Sequence, residues 1–147
     1  MKRWYLAPLF CILFLTASAE AQENHEGQEN AKAAVNKSFD GNAEVREFPL
    51  GKVELLEVDG VTIGRATFQP GWRWSTSLKE TTGTQSCEAP HFQYVISGVL
   101  HIKMDDGSEF DLKPGDVSML PSGHDAWVVG DEPVVVVDWH GMVNYAK

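Results

Sequence analysis

From Glu44 onward, short apolar and aromatic runs alternate with polar positions and are cut by turn dipeptides, and no long window repeats with helical spacing. The pattern predicts strands over Lys52–Val58, Val61–Phe68, Trp72–Leu78, His91–Ser97, Val99–Met104, Glu109–Leu112, Val117–Leu120, Asp125–Val129 and Val134–Trp139. Asp59-Gly60 is a tight-hairpin signal between the first two, and Asp105-Asp106-Gly107 and Lys113-Pro114-Gly115-Asp116 mark further reversals. Strands this short and this regularly punctuated predict an all-β, antiparallel sandwich or barrel. Within 99–104, Leu100, Ile102 and Met104 are expected to point inward, leaving His101 outside.

Upstream of residue 43 the pattern is different. Lys2 and Arg3 precede an apolar run from Leu6 to Leu15, followed by Ala17, Ala19 and Ala21, the order of a secretory signal peptide over residues 1–21. The apolar stretch is too short for a membrane span and is interrupted by Pro8, so no stable anchor is expected after cleavage. Residues 22–42 are polar and predict a flexible leader, with one helical turn around Ala31 to Val35. The expected organisation is signal 1–21, leader 22–42 and one β domain over 43–147, in a secreted or periplasmic protein.

Composition adds two points. The 147-residue chain has a formal net charge of −9, and an acidic surface repels phosphate backbones, so a nucleic acid partner is not expected. Of two cysteines, Cys11 leaves with the signal, and Cys87 becomes the sole thiol of a protein sent to an oxidising compartment. Spacing alone leaves three roles open for it: a small buried hydrophobe, an intermolecular disulfide or a metal ligand.

The segment from Tyr94 to Trp139 resembles the cupin superfamily, small jelly-roll barrels that usually hold one metal ion. Gly98 fits the glycine closing that family's first motif, and Gly115, Pro121 and Gly123 fit its second in spacing and type. The resemblance extends over roughly residues 71–139 and implies an antiparallel jelly-roll sandwich. It also implies ligand positions, and these depart from the usual set. His91 stands where the family has a glutamate, and Cys87 where it has the second histidine of a His-x-His pair; the first would fall at Gln85. In the second motif the histidine position is Ala126, with His124 two residues earlier and on the same face of an extended strand.

By this resemblance Cys87, His91 and His124 are the expected metal ligands, with Gln85, Gln93 and Asp125 as a fourth ligand or as acceptors behind an imidazole. One thiolate and two imidazoles suit a divalent transition metal, zinc or iron first and copper next, with a fourth position open. Trp72, Trp74, Trp127 and Tyr94 are the expected pocket wall. The function this implies is a metal cupin acting on a small molecule, or a non-catalytic binding or sensing module on the same scaffold. Cupins commonly pair, so a homodimer is expected.

Overall fold

In a computed structural model, residues 33–147 can be described. The signal segment, most of the leader and the first part of the turn at Ala31 lie outside those residues; positions 33–38 carry no regular structure. Nine strands follow in order: β1 Glu44–Phe48, β2 Gly51–Val58, β3 Val61–Phe68, β4 His91–Ser97, β5 Val99–Met104, β6 Glu109–Leu112, β7 Val117–Leu120, β8 His124–Val129 and β9 Val134–His140. They form two antiparallel sheets, one ordered β1-β2-β3-β9-β4-β7 and the other β6-β5-β8.

Alternation places the core. Val53, Ala66, Val95, Val134 and Val136 are fully buried on the six-stranded sheet, and Leu100, Ile102 and Ala126 face them from the smaller one. Asp59-Gly60 closes β2 onto β3 with Val58 opposite Val61, a two-residue hairpin as the dipeptide predicts. Gly98, between β4 and β5, has φ +70°, and a Cβ there would sit 2.6 Å from the Pro133 carbonyl oxygen. Only glycine meets both demands.

The segment 72–78 is not the predicted strand. Trp74–Ser77 forms a one-turn helix, α1, and Lys79–Thr82 a second, α2. The cause is tertiary. Asp125 reaches across from β8, and its Oδ1 accepts the Ser75 N–H at 3.0 Å while Ser75 Oγ donates to Oδ2 at 2.9 Å. A distant carboxylate thus satisfies a free N–H of the helix start, where the local N-cap, Arg73, offers no side-chain bond. Trp72 and Trp74 are therefore not alternate residues of one strand face, yet both are buried. Strand β1 was not predicted from the sequence. It is a largely exposed edge strand that pairs only with β2.

Candidate metal centre

Two strand starts and one bridge converge. His91 opens β4 and His124 opens β8, while Cys87 lies in the loop after α2 and pairs with His124 as an isolated antiparallel bridge. The Cys87 N–H donates to the His124 carbonyl at 2.7 Å, and the Gly123 N–H to the Cys87 carbonyl at 2.8 Å. Ser86 Oγ donates to Asp105 Oδ2 at 2.7 Å and pins the loop from the other side. Among the described residues, Cys87, His91 and His124 form a buried group whose ligand atoms all lie within 4.8 Å of one another. Cys87 Sγ is 3.7 Å from His91 Nε2.

The ring nitrogens have distinct jobs. His91 Nδ1 is 2.5 Å from Asp138 Oδ2, and a carboxylate accepts, so Nδ1 carries the proton and Nε2 turns its lone pair toward Cys87. Asp138 is 1% exposed, and its other oxygen accepts the His140 N–H at 2.6 Å. His124 Nδ1 donates to the Pro121 carbonyl at 3.0 Å, which likewise frees Nε2. Fixing the tautomer from behind is how ligating histidines are held. Gly141 (φ +107°) lets the end of β9 come this close, since a Cβ there would run into the Pro90 carbonyl oxygen and crowd His91 Nδ1.

Burial sets the protonation. It pushes the Cys87 thiol up to about 11, helped by the negative charges of Glu88, Asp138 and Asp125. Burial also pulls His124 below the ordinary imidazole value, with His91 adding to the effect, which favours its neutral ring. The donor set fits a metal ion. A tetrahedral centre with one sulfur and two nitrogens spaces its ligand atoms about 3.5 Å apart, close to the sulfur–nitrogen distance found here. A cation that displaced the thiol proton would have three protein ligands.

His91 and His124 form part of the wall of a cavity inside the sandwich, with Trp72, Trp74, Gln93 and Tyr145 among the other lining residues. It leaves about 20 Å³ for the centre of a water molecule. Ala126, at the usual histidine position, faces the same space.

The other expected residues lie elsewhere. Gln85 is exposed and accepts from Lys79 Nζ at 2.9 Å. Asp125 points to the outer face, held by Arg73 Nη2 at 2.6 Å and by Ser75. Gln93 is buried on the cavity wall, directly opposite Asp138 in the β4–β9 register. Trp127 stacks on His101 with ring centroids 4.2 Å apart and lies beneath the Arg73 guanidinium, on the outside. Tyr94, 38% exposed, is also outside, because it alternates with the inward His91 and Gln93. Asp138 and Tyr145 were missed from sequence. Asp138 was legible, since it shares the inward parity of Val134 and Val136. Tyr145 follows a short 3-10 helix, Met142–Asn144, and nothing in its spacing announces it.

A double-sheet β-sandwich with an inward cysteine–histidine–histidine group defines a class, and family comparison specifies it. A model of EutQ-like cupin domains matches residues 64–137, half of the chain, so the protein belongs to the cupin family. A sugar phosphate isomerase of the cupin superfamily from Silicibacter pomeroyi is similar in structure, with a TM-score of 0.51 and 18% identity over 71% of this chain and 73% of that one. A protein of unknown function from Vibrio parahaemolyticus gives 0.50 and 13% over 67% and 98%. At these identities the likeness is one of fold alone. No curated protein matches this chain.

Proposed function

We propose that the protein is a cupin that binds one divalent transition metal through Cys87 Sγ, His91 Nε2 and His124 Nε2, leaving a fourth position for a small ligand. The observation that carries it is a buried group in which each histidine has its Nδ1 committed to an acceptor, His91 Nε2 lies 3.7 Å from Cys87 Sγ, and the ligand atoms of all three residues fall within 4.8 Å of one another. Zinc or iron suits this donor set best, and copper next. The test is metal content by mass spectrometry of purified protein. One equivalent is expected in wild type, and affinity at least about a hundredfold lower in Cys87→Ala and His124→Ala, as for loss of a ligand. Full metal occupancy in both variants would refute the assignment.

Whether the site also catalyses turns on acid–base groups. Among the described residues lining the cavity, the titratable ones are His91, His124 and Tyr145, and burial holds the Tyr145 hydroxyl well above its ordinary value. Glu88 is exposed. With both imidazoles used as ligands, a neutral phenol is left as the proton donor. That favours a binding or sensing role over proton-transfer catalysis.

The proposal includes two further parts. Export rests on the signal-like residues 1–21, and N-terminal sequencing of the mature protein should start at Glu20 or Gln22. Homodimer formation rests on the outer face of β4, β7 and β9, where Phe92, Tyr94, Met119 and Trp139 are exposed together. Sedimentation should give a dimer that Met119→Lys weakens; a monomeric wild type refutes it.

A further inference from the structure

Among the described residues, four buried side-chain polar atoms lack a partner: Trp72 Nε1, Trp74 Nε1, Gln93 Nε2 and Ser118 Oγ. The first three belong to residues that line the cavity beside His91 and His124. Proteins leave few buried donors unpaired, because each costs the full desolvation of its N–H. Three in one wall form a pattern. The fourth, Ser118, lies beside Gln93 across β4–β7 but does not line the cavity.

Indole nitrogens only donate, so Trp72 and Trp74 cannot be metal ligands, and each buried N–H is left needing an acceptor. Both rings are fixed. Trp72 stacks on Phe68 with centroids 3.9 Å apart, and Trp74 is 2% exposed at the start of α1. With both imidazole lone pairs taken up by a metal, a lone water would accept from the indoles but find few acceptors for its own two hydrogens. An acceptor-only anion has no such mismatch. Burying an anion also requires a cation nearby. The lining has no lysine or arginine, and the buried carboxylate behind it, Asp138, is already engaged with His91. A metal at the Cys87–His91–His124 group would supply that charge. The space, about 20 Å³ for water centres, limits the guest to a few heavy atoms.

We propose that Trp72, Trp74 and Gln93 form a donor cradle for a small carboxylate, of one or two carbons, bound at the open side of the Cys87–His91–His124 site. This rests on the metal reading above and specifies its ligand class. The cradle orients one carboxylate face by N–H donors while the other oxygen is left for the cation.

The experiment uses full-length protein loaded with cobalt(II), with cobalt content measured separately, titrated with formate, acetate and benzoate and followed by visible absorption. Saturable changes are expected with formate and acetate but not with benzoate. Trp72→Phe and Trp74→Phe remove one N–H each while keeping an aromatic ring. Each should weaken acetate binding about tenfold with cobalt stoichiometry unchanged, as for loss of one hydrogen bond to a charged group. Gln93→Met provides the same comparison should a tryptophan variant fold poorly. The cradle is overturned if cobalt binds and the spectrum ignores all three acids, or if every variant that folds binds acetate as wild type does. A benzoate response equal to that of acetate overturns the size limit. Protein that takes up no cobalt overturns the metal reading, and this proposal with it.

Discussion

Along the same two neighbouring strands, the inner face of the six-stranded sheet changes character within one turn of the alternation. Val95 on β4 and Val134 and Val136 on β9 are fully buried and apolar. One inward position further along each strand come Gln93 and Asp138, directly opposite each other, and then His91. All three are buried like the core around them, at 2%, 1% and 4% exposure. Both stretches belong to the same antiparallel β4–β9 pair, whose register shifts once between Phe92 and Gln93 and once between Val95 and Ser97, so the change in character lies chiefly in the side chains. An apolar stretch there would give stability by burial alone, whereas the polar stretch must spend hydrogen bonds merely to break even. Burial alone does not account for the polar stretch, which is what the metal reading proposed above would require.

The sharpest way to break this contrast is Asp138→Leu. It strips His91 Nδ1 and the His140 N–H of their acceptor, and urea unfolding should show a loss of about 3–5 kcal/mol, as for removal of one partner from a buried polar pair. Val136→Ala, on the apolar stretch, should cost only roughly 2 kcal/mol from lost burial and the small cavity left. The double variant His91→Leu with Asp138→Leu should recover much of the loss while binding no metal. If the double variant is less stable than Asp138→Leu alone, the polar stretch is structural after all.

A smaller effect separates the inner and outer aromatics. Trp127 is one of the predicted wall residues that turned out to face outward, stacked between His101 and Arg73. Trp127→Ala should lower stability by about 1 kcal/mol, the scale of a stacking and cation–π contact at a half-exposed site. Metal content should not change. A loss of metal in this variant would mean that the outer face shapes the site, contrary to the division drawn here.

These outcomes also mark what the sequence could reveal. The eight strands after β1 that the structure contains were visible from alternation in β3, β4, β5, β8 and β9, which bury one face, and from the turn residues that bound β2, β6 and β7. The cysteine and two histidines were visible only through the resemblance to cupins, since four-residue spacing across Ala89-Pro90 says nothing about facing. Parity alone would have excluded Trp127 and Tyr94 from the cavity: residues 124 and 126 face in, so 127 faces out, and 91 and 93 face in, so 94 does not. The helix at 74–77 was not legible, because its start is completed by Asp125, fifty residues later in the chain. Edge strand β1, with its exposed charged pattern, carried too little apolar alternation to stand out.

The smallest effect concerns a buried carboxylate outside the cavity, one whose hydrogen bonds are complete. Glu54, with a side chain 8% exposed, accepts from Arg65 Nε at 2.8 Å and Nη2 at 2.9 Å, and Lys52 Nζ lies 3.2 Å away. The Arg65 hydrogen bonds hold its carboxyl below the ordinary value of 4.5, against the opposing effect of burial. A carboxyl lowered in the folded state stabilises the protein above its unfolded value, and that contribution fades as pH falls through the folded value. At pH 7, Glu54→Gln should therefore be about 1 kcal/mol less stable than wild type, a scale set by a charge-assisted pair at the surface's edge. The gap between the two should narrow as pH drops below 4.5, as measured by urea titrations from pH 7 to pH 3. A gap that stays constant over that range would mean the loss comes from packing rather than from ionisation.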